Sequence, residues 1–536
     1  MPVEFLTDDQ GAGYGRFAGE PSRAELERFF FLDDADRGLV GKRRGEHNRI
    51  GFAVQLGTVR HLGTFLTDPV DVPWSVVDYV AVQLGVLDPS VVKRYTEREK
   101  TAYEHAWEIR DAYGYRDFSD PAAQEQLRDF MDGRAWTHAE GALALFTQAT
   151  AWLRRHRVLL PGVSTLARLV SQVRDQAAER MYRTLAEAAA SADAELPYRL
   201  RDLLAVPDGQ RLSGLELLRR APTRTSGVAM SKALDRASTV LAIGARAAQV
   251  QAIPTNRLAA LARYGLAGKA PQLAELAEPR KTATLLATAR NLEAAAVDDA
   301  LGLFDLLMAT RVINPARRAS REQRLATLPR LERASALLLA VNTALLDLLA
   351  SAPDGQVEVA AAWAAVERVA PREQVTAAAA VVEEMLPDDD GDETALRANI
   401  AARYGVVRPF VELLAEVLPL DATPAATGLL HALRRLPELL RRRVSRKPLL
   451  PGEVEATLVP ALWRPAVFAN RRLPAGSVDR DAYVLCLLEQ LRTALRRRDV
   501  FAHPSLRWSD PRPVPAARLP VLAPHRGHGR HPVLAG

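Results

Sequence analysis

A single cysteine in 536 residues has no counterpart to pair with. Disulfides and cysteine-based zinc sites are therefore excluded, and Cys486, within YVLCLLEQL, reads as a small apolar side chain on a helix in a protein of the reducing cytoplasm. Aromatic residues are scarce at 6%, and strand patterning is scarcer still, since no segment alternates apolar and polar residues convincingly. The amino terminus, MPVEFLTDD, has neither the basic nor the apolar stretch of a signal peptide. The longest apolar run, Ala334 to Ala352, is interrupted by Asn342, Thr343 and Asp347. It falls short of the roughly 20 apolar residues of a membrane span and reads as a buried core helix. No basic amphipathic helix borders it, so a membrane surface is not the expected partner for the positive charge.

Signals for catalysis are equally thin. No phosphate-binding Walker loop, zinc-ligand spacing or GxSxG elbow occurs. The glycines of Gly11-Ala12-Gly13-Tyr14-Gly15 lack the preceding strand that a dinucleotide loop needs. The run Asp388-Asp389-Asp390-Gly391-Asp392-Glu393 lacks the calcium-loop spacing and reads as a solvated acidic loop. Asp298, Asp299 and Asp305 lie on an apolar helix with no strand nearby to hold a two-metal site. Composition and spacing therefore assign no catalytic residue, no metal ligand and no cofactor.

What the chain does have is helical periodicity, arginine and an uneven distribution of aromatics. Its length implies three or four domains, its 48% hydrophobic content can fill several cores, and its net charge of +6 suits an anionic partner. Of 32 aromatic residues, 16 precede residue 119, so the first fifth is chemically unlike the leucine-, alanine- and arginine-rich remainder. Ser22 with Glu25 forms a capping box for a helix from Arg23 to about Leu32. Asp33 or Asp34 recaps a second helix through Val40, and a third starts near Glu46. These three resemble a helix-turn-helix-like bundle. Proline breaks at Asp68-Pro69 and Val72-Pro73 precede a helix from Trp74 to Leu84, and Asp88-Pro89 opens another, a second unit of the same kind. From Pro161 the helical period is nearly continuous, with breaks at Pro207-Asp208-Gly209, Pro315, Pro353 to Gly355, and Pro387 to Gly391. The fold class is mainly α, with helical bundles in series. The expected divisions are 1–160, DNA-binding; 161–320, a further helical module; 321–510, a dimerisation or scaffold region; and a proline-, arginine- and histidine-rich tail, 511–536.

Four basic groups are candidate DNA contacts, set against plainer readings: a solvated helix face for the first, an ordinary capped helix for the third, and arginine favoured by a helix C-terminus for the fourth. The first is Lys42, Arg43, Arg44, Arg49 and Arg60, interleaved with His47, Asn48 and Gln55, types suited to phosphate neutralisation and base-edge hydrogen bonding. The second is Lys93, Arg94, Arg98 and Lys100. One helix would set Arg94, Arg98 and Thr101 on one side, with Tyr103 and Trp107 in the core. The third runs from Arg154-Arg155-His156-Arg157 to a helix start bearing Ser164, Thr165 and Arg168. The fourth comprises Arg434, Arg435, Arg441, Arg442, Arg443, Arg446 and Lys447, facing only Glu438, together with Arg492, Arg496, Arg497 and Arg498.

The words RFFFLDDADRGLVGKRRGEHNRIGFAVQLGTVRHLGTFL, VKRYTEREKTAYEHAWEIRDAYGYRDF and HRVLLPGVSTLARLV resemble the N-terminal half of the transposases of replicative, cointegrate-forming bacterial transposons, the Tn-three family. The resemblance continues through AVDDALGLFDLLMATRV and WRPAVFAN to about Ser509. It implies helical modules that bind terminal inverted repeats of double-stranded DNA, pairing with another copy or with a full-length transposase, and a cytoplasmic, nucleoid-associated location. It also implies that magnesium serves only an RNase H-like core with three carboxylates, for which these residues offer no counterpart. After about Asp510 the chain departs from the family pattern into the tail, which reads as a frameshift or truncation.

Overall fold

Short acidic and hydroxyl caps start the N-terminal helices where the sequence suggests. A computed structural model describes residues 5–352, 356–385, 391–441, 449–469 and 473–512. Ser22 and Glu25 form a reciprocal capping box on the helix Arg23–Phe29, and Asp33 with Asp36 does the same for Asp34–Gly41. The first helix stops three residues sooner than expected. Phe30 turns into the core, and the Gln83 side chain takes over the backbone, accepting from the Leu32 N–H at 2.9 Å and donating to the Phe30 carbonyl at 2.9 Å. Glu46–Leu62 and Trp74–Leu84 end on left-handed glycines, Gly63 and Gly85, a conformation that glycine alone adopts at little cost.

The chain forms two compact units, each discontinuous in sequence: residues 1–205 with 245–288, and 206–244 with 289–536. Two of the hydrophobic cores in the first unit position the N-terminal helices. One surrounds Glu46–Leu62, in which every residue from Ile50 to Val59 is buried, and includes Phe30, Val76, Val80 and Ile109. The other is shared by the helices Pro121–Thr137, Ala142–Arg155 and Val163–Ala192 through Leu127, Met131, Leu145, Leu166 and Val170. A division at residue 160 would cut through that second core, because Leu166 and Val170 fill it from the far side of the Pro161-Gly162 turn.

The second unit packs around Arg480–Arg497, whose residues Ala482 to Leu488 are all buried, Cys486 among them. Burial pushes the Cys486 thiol up to about 12, so it is not a poised nucleophile. Two three-residue strands, Leu420–Ala422 and Val500–Ala502, pair antiparallel with Leu420 opposite Ala502. They are too short to leave a periodic signal in the sequence.

Two expectations are corrected here. Pro315 does not break the helix. Arg280–Leu307 passes through a π-helical segment, Met308–Ile313, into Asn314–Ala350, where the wider turn accommodates a residue lacking the N–H donor. The apolar run within Asn314–Ala350 is not a buried core helix either. Only Ala316, Ala334 and Val341 are buried, whereas Leu339 is 66% exposed and Leu346 57%. By length and composition alone, Arg280–Ala350 holds an 18-residue window apolar enough to cross a membrane, with mean hydropathy 1.5. The tail, residues Pro353 to Gly355 and most of the acidic run lie outside the described residues.

Candidate nucleic-acid interface

Helices Asp34–Gly41 and Glu46–Leu62 are joined by only four residues, Lys42 to Gly45, and the turn closes because Gly45 takes φ 82°. Lys42 and Arg44 stand exposed on this turn, and Arg49 stands one helical turn beyond it. His47 and Asn48 are half-buried, and the Asn48 amide donates to the Arg44 carbonyl at 2.8 Å, bracing the turn. The body of the second helix is core, so only this first turn can meet a ligand.

Three residues of the first group are removed from the interface by their packing. The Arg43 guanidinium makes two 2.7 Å bonds to Glu108 and lies over the Phe52 ring, 4.9 Å from its centroid. Arg60 grips the fully buried Asp36 through bonds of 2.8 and 2.7 Å, while the Tyr113 hydroxyl donates to the same carboxylate. Burial alone would raise the Asp36 carboxyl, but the hydrogen bonds from Arg60 and Tyr113 outweigh it and hold the group below its ordinary range. Gln55, 4% exposed, donates to the Tyr95 hydroxyl at 2.7 Å and to the Ala102 carbonyl at 3.0 Å. Arg43, Arg60 and Gln55 are therefore held by packing, each hydrogen-bonded to a partner more than 20 residues away.

The second group does not lie on one helix. Pro89–Glu97 is a 3₁₀ segment capped by Asp88, and Arg98, with φ −120° and ψ 94°, breaks the chain before Glu99–Tyr113. Arg94, Arg98 and Thr101 consequently do not form the expected stripe. Lys93, Arg94, Arg98 and Lys100 are all exposed, with Arg94 3.6 Å from Glu97 and Lys100 3.4 Å from Glu104. Such exposed pairs contribute little and leave the cations available. The Tyr95 ring packs against the Cα of Gly51, where a Cβ would collide with it, so this segment lies beside the first turns of Glu46–Leu62. Lys93 and Arg98, like Lys42, Arg44 and Arg49, are exposed, and no carboxylate among the described residues pairs with any of the five.

Tyr103 and Trp107, expected in the core, are 64% and 44% exposed. They line a groove of about 540 Å³ with Leu66, Pro69 and Arg110, and the Arg110 guanidinium stacks 3.6 Å from the Trp107 ring centroid. Their four-residue spacing on a helix that buries only Ala102, His105 and Ile109 was the overlooked signal. His105 is the buried member, held by the Tyr95 hydroxyl at 2.8 Å. Burial, reinforced by the Arg43 charge, pushes its imidazole down to about 4.

In the third group, Ser164, Thr165 and Arg168 are exposed on the first turns of Val163–Ala192, which lacks a side-chain cap. Arg154 instead donates to the His61 and Leu62 carbonyls, and Arg157 donates to that of Tyr113 at 2.9 Å. In the fourth group four of the described arginines are tied down by acids from other elements, Arg435 by Glu455, Arg441 by Glu416, and Arg492 and Arg496 by Asp305, while Arg434 and Arg498 donate to the Leu420 and Ser509 carbonyls. Asp299 holds Arg236 at 2.6 Å, and Asp298 accepts from Ser505 and from the Arg507 N–H. The three aspartates of that apolar helix are thus cross-links within the second unit. Arg442, Arg443, Arg446 and Lys447 lie outside the described residues, and no group of three or more potential metal ligands occurs among the described ones.

A family described as a domain of unknown function (DUF4158) matches residues 5–173, a span that takes in nearly all of the two cores described above. Over 512 residues, 96% of its length, the chain is 35% identical to the transposase for transposon gamma-delta of Escherichia coli (strain K12), covering 49% of that protein. It is 43% identical over 318 residues to the transposase for transposon Tn4556 of Streptomyces fradiae, covering 57% of this chain and 35% of that one. It is 28% identical over 489 residues to the transposase for transposon Tn501 of Pseudomonas aeruginosa, covering 91% and 47% respectively. The chain spans about half the length, or less, of the curated relatives it matches.

Proposed function

From a chain homologous to Tn-three family transposases over almost its whole length, we propose a DNA-binding portion of a transposase that recognises terminal inverted repeats of a transposon. The observation that carries the reading is that Lys42, Arg44, Arg49, Lys93 and Arg98 are exposed and, among the described residues, pair with no carboxylate, all within the part of the chain that the DUF4158 family covers. Phosphates are held by these lysines and arginines. Ser164, Thr165 and Arg168 make a second backbone contact, and base edges are read from the Lys42–Asn48 turn. The middle of Glu46–Leu62 cannot lie in a groove, so the reader is the turn of a helix-turn-helix-like pair and not its second helix. The reading gives this chain no magnesium ligand, leaves strand cutting and joining to residues elsewhere, and places the protein with the DNA in the bacterial cytoplasm.

A partner surface belongs to the same reading. Leu325, Leu328, Leu339, Leu346 and Leu349 are exposed on Asn314–Ala350 at steps of three, seven and eleven, the a/d positions of a coiled-coil seam. This face pairs the chain with a second copy or with a full-length transposase. The test of DNA recognition is fluorescence anisotropy with the host transposon's terminal repeat and with a scrambled duplex, each at several salt concentrations. A preference for the repeat that survives moderate salt is expected. Equal, steeply salt-dependent binding would reduce the function to that of a helical scaffold with a basic surface.

A further inference from the structure

A second concentration of positive charge lies in the first unit, in a cavity of about 370 Å³ among the helices Pro121–Thr137, Val163–Ala192, Thr255–Ala267 and the first turn of Arg280–Leu307. Four arginines line it: Arg134, Arg174, Arg257 and Arg280. Arg134 is occupied by Glu140 through bonds of 3.0 and 2.8 Å. No carboxylate among the described residues pairs with the other three, and the acid left on the wall, Asp175, leaves an excess of two positive charges. The Arg257 Nε–H is buried without a hydrogen-bond partner among the described residues, an arrangement that is costly unless an acceptor arrives. Burial disfavours the Arg257 cation, Tyr182 favours it, and the like charge of Arg174 disfavours it again. A guanidinium does not escape by deprotonating, so the cavity favours an anion.

The walls are also held ready. The Asn256 amide donates to the Thr137 carbonyl at 2.9 Å and its oxygen accepts from the Arg257 N–H at 2.8 Å, fixing the start of one helix against the end of another. Arg280 lies between two tyrosines, 5.8 Å from the Tyr182 centroid and 5.3 Å from that of Tyr264. We propose that Arg174, Arg257 and Arg280 form a phosphate-binding site, in which planar guanidinium forks grip the oxygens of a phosphate group. The phosphate comes from the backbone of bound DNA or from a free phosphorylated ligand, and the former source rests on the function proposed above.

The test uses the full chain with two probes. Pyrophosphate should raise the melting temperature of the wild type beyond an ionic-strength-matched chloride control, and Arg257→Gln and Arg280→Gln should abolish that response. Arg280→Gln alters an exposed side chain and keeps the test open if Arg257→Gln fails to fold, and Arg257→Lys should recover only part of the effect. With labelled duplex DNA, each variant should bind several-fold more weakly, and its log-affinity salt slope should shrink by about one unit. Loss of both responses in the variants assigns the site to backbone phosphate; loss of the pyrophosphate response alone assigns it to a free phosphorylated ligand. A wild type that binds no DNA but responds to pyrophosphate would sink the proposed function and keep the site. A wild type that ignores pyrophosphate, with variants that bind DNA unchanged, would overturn the site.

Discussion

The cations of the N-terminal unit divide into those that hold the fold and those free to meet a ligand, and the two kinds should respond oppositely to substitution. Arg60→Ala leaves the Asp36 carboxylate buried with only the Tyr113 hydroxyl and its capping contacts, and should cost about 3 kcal/mol in urea unfolding. Lys42→Ala and Arg44→Ala, on exposed turn positions, should change stability by no more than about 0.5 kcal/mol while weakening duplex binding and flattening its salt dependence. Reversal of that pattern would sink the division. His105 makes a pH prediction of definite sign. Its folded pKa of about 4 lies below its unfolded value, so the unfolded chain binds the proton first and stability falls as pH drops from about 6.5 towards 4, by on the order of 2 kcal/mol. His61, held low by burial and by Arg154, acts in the same direction, so His105→Asn should flatten the melting-temperature profile across this window without abolishing its slope.

At the scale of the element, glycine inside a helix is ordinarily a weakness, yet the helix Glu46–Leu62 carries two at points of close approach. Gly51 meets the Tyr95 ring and Gly57 the Phe30 ring, each where a Cβ would stand. Gly57→Ala gains helix propensity of about 1 kcal/mol but forces Phe30 out of the core, so a net loss of roughly 1–3 kcal/mol is expected in denaturant titration. A stabilised variant would show that the ring can move aside. The long helix Asn314–Ala350 makes the converse point, because among the described residues its Leu325, Leu339 and Leu346 stay more than half exposed. Leu339→Asp with Leu346→Asp should leave helicity intact and shift sedimentation from a dimer to a monomer; a wild type that is monomeric at high concentration would discard the seam.

For the molecule as a whole, much of the plan was legible in the linear chain. Mainly helical class, the Ser22 and Asp33 caps, the helix Trp74–Leu84 and the resemblance to transposases all depend on local spacing or on ordered strings of residues, which survive without knowledge of contacts. Burial and partnership depend on what a distant segment contributes, and there the local reading failed. In sequence Arg43 and Arg60 resemble the free cations beside them and Gln55 a base-reading amide, until folding brings Glu108, Asp36 and Tyr95 to them. Tyr103 and Trp107 looked like core because aromatics usually are, but Ala102, His105 and Ile109 fill that place. The arginine cavity draws on residues 134 to 280, and each unit is assembled from two separated stretches of chain. Helical period and capping are settled within a few residues, so they can be read in one dimension. Which charge is neutralised, which ring is covered and which stretches share a core are settled by packing across tens to hundreds of residues, and only the tertiary structure decides them.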